Sequence, residues 1–379
     1  MNKIAVYTIC KNEEKFVNKW LDSMSEADYM VVLDTGSTDA TIKLLEEGKK
    51  KYPNLIYAQK VIDPWRFDVA RNANIDIIPK DANILFENDL DEWLAPGWSK
   101  PIRERWVEGV HERGEYMYAW SHLENGDPAR VFRYNKLHTW NWRWKAPVHE
   151  YLARVGVEDN TAANYTAEET IDFGFDVFLH HYPDPTKSRG SYLGLLELRC
   201  AEDPDDEVAP VYLAHEYSYR GKYQKSIDLL QHLIDYAKSY TDLERANFYM
   251  FMGDDYLALD QAETAVQCYL KAISKAPEYR DPYMHLAEWL QTNNYNLAAI
   301  GYVREALKRT VRQYSWLEGD AIWSYVPYDI LSRAYFYLGE YAKSAAAATV
   351  ALSKDPDNKR LQDNWKIIQP TLVDFEGDI

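Results

Sequence analysis

The first half of the chain alternates short apolar segments with amphipathic ones, and this alternation restricts the fold more than any other feature. Helical patterns follow the first two apolar segments, and the apolar segments themselves lie at residues 4–9, 29–33, 55–58 and 82–86. Strands that alternate with helices form a mostly parallel sheet covered by helices on both faces. We therefore predict an α/β domain over residues 1–200.

Polar residues directly follow three of these predicted strands, at residues 10–13, 34–37 and 88–92. In open parallel sheets, ligands bind beyond the carboxyl ends of the strands. The three polar turns are therefore expected to meet at one edge of the sheet and to form a binding site. Turns that are merely solvated would give the same pattern, and this remains the alternative.

The densest polar turn contains four carboxylates within six residues, at Glu87, Asp89, Asp91 and Glu92. Like charges repel, and an unpaired carboxylate is costly to bury, so this turn needs a compensating cation. In an extended segment Asp89 and Asp91 lie on the same side. Two such carboxylates suit Mg²⁺ or Mn²⁺, which in turn can hold a diphosphate. A short acidic triplet that caps a helix is the plain alternative.

From residue 201 onward the sequence predicts helices only, with a recurring pattern. Similar six-residue segments begin at residues 221, 260, 293 and 339. Within them Ala265 and Ala298 are 33 residues apart, close to the 34-residue tetratricopeptide period. We predict three or four stacked hairpins over residues 201–379, an all-α tetratricopeptide-like solenoid. An ordinary helical bundle is the alternative.

Composition narrows the classes of function. The formal net charge of −17 repels phosphate backbones and anionic membranes, so we do not expect nucleic-acid or membrane-surface binding. The three cysteines are far apart, which disfavours a disulfide framework and a cysteine zinc site. No apolar run approaches the ~18 residues of a membrane span, and the amino terminus is too polar for a signal peptide. We therefore expect a cytoplasmic protein.

Five motifs carry a resemblance to a known family. In order they are TICKNEE, VVLDTGSTDAT, WRFDVARN, LFENDLDEW and PVHEYL. Together they resemble the family 2 glycosyltransferases with the GT-A fold, and more narrowly the branch with a tetratricopeptide tail, which includes peptide S-glycosyltransferases that modify glycocins. The resemblance implies sugar transfer from a nucleotide-diphosphate sugar, expected to be a UDP-sugar, by an inverting mechanism. The family's usual Asp-Ala-Asp is here Asp-Leu-Asp.

The resemblance also implies roles for single residues in donor binding. Asp34 would hydrogen-bond uracil or ribose, and Asp89 would reach ribose or sugar hydroxyls. Arg71 would face the diphosphate; a surface salt bridge is the alternative for this arginine. The nucleoside pocket at the end of the first strand would be lined by Thr8, Cys10, Asn12 and Glu13.

For catalysis, the resemblance implies that Asp91 binds Mg²⁺ or Mn²⁺ and that His181 completes the metal site. His180 fits less well, because the family's histidine is followed by an aromatic residue; a core histidine is the alternative for His181. Glu150 is the candidate general base, although a carboxylate at a helix start looks the same. Three tryptophans in the segment 140–144 either stack on a sugar or cover a sheet.

Several alternatives stay open. A glycoside hydrolase also uses two carboxylates, but it would not need the predicted nucleotide pocket. A nucleotidyltransferase would need a glycine-rich and basic loop to bind a triphosphate, and the sequence lacks one. An inactive scaffold that binds nucleotide sugar and peptide is a rival of another class. We expect a nucleotide sugar and, through the repeats, a peptide or protein acceptor as partners, with a homodimer possible. A glycan, a cell-wall component or a modified nucleobase is the other acceptor option.

Overall fold

The computed structural model describes residues 2–123, 126–157, 166–184, 186–187, 190, 192–312 and 319–376. The chain divides into two compact units, Met1–Pro204 and Asp205–Ile379. The described residues of the first unit form a curled, largely parallel sheet with helices, and those of the second form helices without strands. The fold class predicted from the sequence is therefore confirmed. No helix among the described residues is long and apolar enough to cross a membrane.

The first unit consists of strands and helices in alternation up to residue 105 and mainly of strands after it. The strands are β1 Ile4–Cys10, β2 Tyr29–Asp34, β3 Leu55–Gln59, β4 Ile84–Glu87, β5 Glu92–Leu94, β6 Arg113–His122, β7 Pro128–His138, β8 Trp142–Lys145, β9 Tyr151–Arg154, β10 Thr170–Asp172 and β11 Phe178–His181. The helices are α1 Val17–Met24, α2 Thr41–Lys51, α3 Phe67–Ile75, α4 Ser99–Arg105 and α5 Tyr192–Glu202.

The main sheet of the first unit gathers several strand ends on one edge. Within the described residues its order is β3-β2-β1-β4-β7-β6-β11-β5, and β10 pairs with β6. Strands β1 to β4 are parallel to one another, β7 is antiparallel to β4 and to β6, and β11 is parallel to β6. Strands β1, β2, β4, β6 and β11 therefore end on the same edge, where β7 begins. We call it the carboxyl edge.

Strand β1 is buried on both faces, as expected for a central parallel strand. Ile4 and Val6 pack with helix α1, whereas Ala5 and Tyr7 pack with helix α3 and the β8–β9 hairpin. The tryptophan-rich segment belongs to this second layer, because Trp142 and Trp144 are almost fully buried in it. Of the two roles predicted for these tryptophans, the structure shows that these two cover the sheet.

The second unit contains paired antiparallel helices. These are α6 Val208–Tyr219, α7 Tyr223–Tyr236, α8 Asp242–Ala258, α9 Ala262–Lys275, α10 Asp281–Thr292, α11 Asn296–Leu307, α12 Val326–Tyr337 and α13 Tyr341–Lys354, followed by α14 Lys359–Glu376. The pairs α6–α7, α8–α9, α10–α11 and α12–α13 are the hairpins, and α14 packs on α13. The described residues therefore contain the number of repeats predicted.

One turn geometry recurs in all of these hairpins. The second residue after each first helix has a left-handed backbone, with φ values of 71, 59, 66 and 75° at Gly221, Asp260, Asn294 and Gly339. The amide of the following residue donates to the carbonyl five residues earlier, as in a Schellman motif. These bonds run from Lys222 to Tyr217, Gln261 to Tyr256, Tyr295 to Leu290 and Glu340 to Tyr335, at 2.8–2.9 Å. The four hairpins therefore have the same turn conformation although the residues at the turn differ.

The repeat register predicted for the third hairpin is wrong by one residue. Ala298 is exposed, whereas Ala299 is fully buried. Ala299 occupies the position of the buried Ala265, four residues after the residue that caps the helix. The two are 34 residues apart, which equals the tetratricopeptide period. The error arose because the left-handed residue of this turn is Asn294 and not Asn293, and no glycine marks it.

We predict that Gly339→Ala destabilises the protein by about 1–2 kcal/mol, because alanine resists the left-handed backbone at this turn. A Cβ at this position would meet no atom within 4 Å, so any loss of stability would come from the backbone conformation and not from a steric clash. The control is Gly301→Ala, inside α11 and equally free of clashes, which should stabilise by about 0.5–1 kcal/mol. Urea denaturation of the full chain measures both; equal effects of the two substitutions would contradict the assigned turn.

Candidate functional site

The carboxyl edge brings together the polar turns that follow β1, β2 and β4. Cys10 at the end of β1 pairs with Asp34 at the end of β2, and Tyr7 in β1 pairs with Glu87 at the end of β4. The turns at residues 10–13, 34–37 and 88–92 are therefore neighbours, as the sequence predicts. This edge is the candidate site.

Asp34 holds the turn that follows β2. It is fully buried, and its Oδ1 accepts hydrogen bonds from the amides of Gly36 and Ser37, both at 3.0 Å. Its Oδ2 accepts from the Ser37 hydroxyl and lies 3.6 Å from Cys10 Sγ. Burial, and then the negative charge of Asp34, raise the pKa of the Cys10 thiol far above its ordinary value. Both residues thus shape this turn from the inside.

The turn after β1 is tied to the turn after β2 by side chains. Asn12, with a φ of 57°, accepts from the Thr38 amide through Oδ1 at 2.7 Å. The Glu13 amide donates to Thr41 Oγ1 at 2.8 Å, and the Glu13 carboxylate contacts Lys187. Thr8 is fully buried in β1. Of the predicted nucleoside-pocket residues, Asn12 and Glu13 therefore lie at the surface of the edge, and Thr8 and Cys10 lie beneath it.

Arg71 is the centre of a buried ion cluster. Its side chain is only 5% exposed, and its Nη1 contacts the fully buried Glu87. Its Nη2 lies 3.0 Å from Asp89 Oδ1, and its Nε lies 2.5 Å from Glu150 Oε1. The sequence suggested that Arg71 faces a diphosphate or forms a surface salt bridge. In the structure the guanidinium instead faces three carboxylates from inside the domain.

Lys136, in β7, is the second cation of this cluster, and sequence reasoning missed it. Its Nζ lies 2.7 Å from Glu87 Oε2, 3.8 Å from Asp89 Oδ2 and 3.9 Å from Glu92 Oε2. Its side chain is buried. An isolated lysine in a polar strand gives no signal of this role, because its burial depends on the pairing of β7 with β4. We call Arg71, Lys136, Glu87, Asp89, Glu92 and Glu150 the ion cluster.

The two cations of the ion cluster separate the pKa values of neighbouring carboxylates. Burial alone would raise the pKa of Asp89, but Arg71 and then Lys136 outweigh it and hold that pKa well below its usual range. Burial raises the pKa of Glu92, and Lys136 only partly offsets this. Burial would lower the pKa of Lys136, but the negative charges of Glu92 and Asp89 outweigh burial and raise that pKa. Asp89 is therefore firmly anionic.

Asp91 lies outside the ion cluster and faces His181. The distance between Asp91 Oδ2 and His181 Nε2 is 3.6 Å. His181 Nδ1 donates to the carbonyl of Trp120 at 3.1 Å, which leaves the Nε2 lone pair directed towards Asp91. Burial lowers the pKa of His181, but the interaction with Asp91 outweighs it and raises that pKa. His181 thus has the second hydrogen bond that orients metal-binding histidines.

The Asp91–His181 pair fits one octahedral divalent ion. Neighbouring donors on Mg²⁺, with bonds of about 2.1 Å, lie about 3 Å apart, so the pair needs only a small approach. Among the described residues no group of three or more His, Cys, Asp or Glu side chains forms a metal site by itself. Within the described ranges, a metal ion at this pair would therefore have two side-chain ligands, and its remaining positions would be open to other oxygen ligands.

His180 points to a different set of partners. Its Nδ1 lies 2.9 Å from His122 Nε2, and the two rings stack at 5.2 Å. The ring of His122 also stacks on Tyr182. Since successive residues of a strand face opposite sides, His180 and His181 diverge. Only His181 accompanies Asp91.

Glu150 reaches the ion cluster from the loop that joins β8 and β9. This loop includes two non-glycine residues with left-handed backbones, Ala146 at a φ of 81° and His149 at 48°. Arg199 of α5 donates to the carbonyl of His149 at 2.7 Å. At the other end of the loop, the Asn72 amide exchanges hydrogen bonds of 2.8 and 2.9 Å with the Trp144 backbone. The position of Glu150 is thus set by specific contacts and not by a helix start.

We predict that Arg71→Met lowers the free energy of unfolding by about 3–5 kcal/mol, because it leaves buried carboxylates without their cation. The exposed Lys100, in a 3.9 Å pair with Glu104, provides the control; Lys100→Met should change stability by less than about 0.5 kcal/mol. Urea denaturation at pH 7 measures both. A loss for Arg71→Met as small as the control's would contradict the cluster.

The deficit of Arg71→Met should also depend on pH. The pKa of Asp89 is depressed in the folded wild type, so Asp89 contributes stability above its unfolded pKa, about 3.9, and loses it as the pH falls. Without Arg71 much of this contribution is absent at every pH. The difference between wild type and variant should therefore narrow as the pH falls below about 4; a constant difference would show that Arg71 acts by packing alone.

Comparisons with known proteins give two results. The model of the family described as glycosyl transferase family 2 matches residues 5–140. The search of curated proteins found no match. The matched region includes β1 to β4, Arg71, Asp89 and Asp91, and it ends before Glu150 and His181.

Solved structures of TPR proteins are similar to the helical part of the chain. A thermophilic TPR protein of Thermus thermophilus has 18% identity and a TM-score of 0.36, over 47% of this chain and 88% of that one. The Arabidopsis OM64 TPR domain has 19% identity and a TM-score of 0.30, over 34% and 98%. The C-terminal part of a TPR repeat-containing protein of Cytophaga hutchinsonii has 15% identity and a TM-score of 0.38, over 48% and 65%.

The helical architecture itself is established by the recurring turns described above. For the sheet-containing unit, the polar edge and the family match concern the same strands. Over residues 5–140 the chain is thus similar to glycosyl transferase family 2, and this similarity supports glycosyl transfer as its class of activity.

Proposed function

We propose that this protein is a metal-dependent glycosyltransferase that moves a sugar from a UDP-sugar to a peptide or protein side chain with inversion at the anomeric carbon. The observation that carries the proposal is the Asp91–His181 pair, oriented by the Trp120 carbonyl, beside the firmly anionic Asp89 at the carboxyl edge. In the metal-dependent mechanism proposed here, the divalent ion would bind at the end of the sheet together with the donor diphosphate. The family match over residues 5–140 supports the same class.

Asp91 and His181 would hold Mg²⁺ or Mn²⁺. The bound ion would act as a Lewis acid that neutralises charge on the departing diphosphate. Asp91 supplies negative charge, and His181 supplies a neutral nitrogen ligand whose tautomer is fixed by Trp120. Because the described residues supply two ligands to this position, the affinity for the ion should rise when the nucleotide is present and adds phosphate oxygens.

The nucleoside would bind across the ends of β1 and β2. Asn12 and Glu13 lie at the surface of this edge and would contact the base and ribose directly. Asp34, Thr8 and Cys10 would form the floor, with Asp34 holding the turn through the amides of residues 36 and 37. Asp89, the partly exposed member of the ion cluster, would accept hydrogen bonds from ribose or sugar hydroxyls.

Arg71 would serve the donor indirectly. Its guanidinium contacts Glu87, Asp89 and Glu150, so it fixes both a hydroxyl-binding carboxylate and the candidate base. We therefore assign Arg71 the role of positioning these groups. Contact with the diphosphate would require it to leave at least one buried carboxylate unpaired, which is costly.

Glu150 would act as the general base. Arg71 engages its Oε1, and a carboxylate has a second oxygen, Oε2, that can accept the proton of the acceptor. In an inverting reaction one base suffices, because the acceptor displaces the diphosphate in a single step. The side chain of Glu150 is 10% exposed, so it meets the acceptor at the surface of the ion cluster.

The peptide or protein acceptor is inferred from the second unit. Stacked helical hairpins present extended concave surfaces suited to a polypeptide, and the described residues contain such hairpins with one recurring turn. The acceptor atom is a hydroxyl or, as in the glycocin-modifying enzymes that the sequence resembles, a thiol.

We predict that the wild type releases UDP from a UDP-sugar only with Mg²⁺ or Mn²⁺ present, and that Asp91→Asn and His181→Ala abolish this release. His180→Ala, which alters the adjacent residue on the opposite face of β11, is the matched control and should retain it. The assay measures UDP with a panel of UDP- and GDP-sugars. Binding of UDP without any release would favour the inactive scaffold, and full release in excess chelator would overturn the metal role.

For the base, we predict that Glu150→Gln lowers turnover by about 10²–10⁴-fold, while UDP affinity is preserved. Stability should fall less than for Arg71→Met, because Arg71 keeps Glu87 and Asp89 as partners. Glutamine can still accept the hydrogen bond from Arg71 but cannot take up a proton. The loss should be smaller for a cysteine-containing peptide than for the same peptide with serine, because a thiol ionises more readily. Wild-type turnover on the serine peptide would remove Glu150 from the mechanism.

A further inference from the structure

Trp120, at the end of β6, is exposed beside the proposed metal pair. Its relative exposure is 41%, and it is the one tryptophan in the described ranges that falls among the exposed large apolar residues. The tryptophans of β8 are buried under the sheet instead. An exposed tryptophan forfeits the burial of a large apolar surface, so its position at a candidate site points to a ligand.

Trp120 is linked to His181 in two ways. Its carbonyl accepts the hydrogen bond from His181 Nδ1, and its ring centroid lies 6.4 Å from that of His181, at an angle of 46°. Because β6 and β11 are parallel and adjacent, both residues lie at the carboxyl edge. The indole is therefore fixed at the outer side of the proposed metal ligand.

Neighbouring side chains hold the indole in place. The Arg130 guanidinium, at the start of β7, lies 5.2 Å from the centre of the Trp120 ring, at the distance of a cation–π contact. On the inner side of His181, Tyr118 stacks on its ring at 6.1 Å, and Tyr134 stacks on Tyr118 at 4.9 Å. A row of aromatic rings thus runs from the ion cluster outward and ends at Trp120.

We infer that Trp120 is the stacking platform for the sugar ring of the nucleotide-sugar donor. This inference rests on the proposed function, because it needs a diphosphate at the Asp91–His181 pair. The transferred sugar is bonded directly to the phosphate that the metal ion would hold. The sugar would therefore lie beside the Asp91–His181 pair, where the structure places the indole, with its ring centroid 6.4 Å from that of His181.

The chemistry of the indole matches a pyranose ring. The axial C–H groups of a hexose form an apolar face, and a flat aromatic ring with a negative π-face packs against such a face. Uracil is expected at the ends of β1 and β2, separated from β6 in the sheet by β4 and β7. Trp120 should therefore recognise the sugar and leave the uridine part of the donor untouched.

The test compares the binding of UDP with that of UDP-glucose, UDP-galactose and UDP-N-acetylglucosamine. Calorimetry on the full chain with MnCl₂ gives the Kd of each for the wild type, Trp120→Ala and Trp120→Phe. The control is Leu123→Ala, which removes another exposed apolar side chain, 50% exposed, three residues further along the same hairpin. Circular dichroism melting checks that each variant is folded.

For the UDP-sugar that the wild type binds best, Trp120→Ala should weaken binding about tenfold, the order expected for one aromatic contact. Its Kd for UDP should stay unchanged, Trp120→Phe should recover most of the loss, and Leu123→Ala should bind as the wild type does. Three results would overturn the inference. Trp120→Ala could weaken the binding of UDP and of the UDP-sugar equally, or it could weaken neither. Leu123→Ala could also weaken the binding of the UDP-sugar as much as Trp120→Ala does. A wild type that binds neither UDP nor any UDP-sugar would instead reject the proposed function.

Discussion

The compensation of charge at the end of β4 is the constraint on which the first unit depends. Glu87 is fully buried there, and two cations from other elements neutralise it, Arg71 from α3 and Lys136 from β7. Arg71 also holds Glu150, which lies in the loop between β8 and β9. The ion cluster therefore joins two strands, a helix and a loop that lie far apart in the chain. Breaking such a buried network is strongly destabilising, because one charge is left without its partner.

The ion cluster also divides the carboxylates of the 87–92 segment by function. Glu87 and Glu92 contact Lys136 and lie inside the domain, where they hold the sheet end together. Asp89 contacts both cations yet stays partly exposed, so it can serve a ligand while remaining anionic. Asp91 contacts neither cation and faces His181. The two aspartates of the Asp-Leu-Asp motif thus have different environments: Asp89 is held by Arg71 and Lys136, and Asp91 is paired with His181.

The apolar and polar pattern of neighbouring residues was enough to predict the first four strands, two helices and the position of the candidate site. Strands β1 to β4 and helices α1 and α2 follow from apolar periodicity, and the meeting of three polar turns follows from the rule for parallel strands. The long β6–β7 hairpin was not predicted, because its strands alternate irregularly and contain register shifts. Lys136 was missed for the same reason, since its burial depends on β7 pairing with β4. The helix register of the third repeat was predicted one residue too early, because its left-handed residue is Asn294 and a left-handed turn without glycine is hard to recognise from sequence.

The two parts of the candidate site, the Asp91–His181 pair and Glu150, are held in place by different kinds of contact. The Asp91–His181 pair is held by strand pairing: the Tyr182 amide donates to the Asp91 carbonyl at 2.8 Å, and His181 pairs with Glu92 across β11 and β5. The distance between Asp91 and His181 is therefore set by main-chain bonds. Glu150 instead lies on a loop with two left-handed non-glycine residues, and side chains of α3 and α5 hold that loop. The proposed function suits this division. The half of the site proposed to bind metal and donor would keep its geometry, while the half that holds the proposed base could adjust to the acceptor.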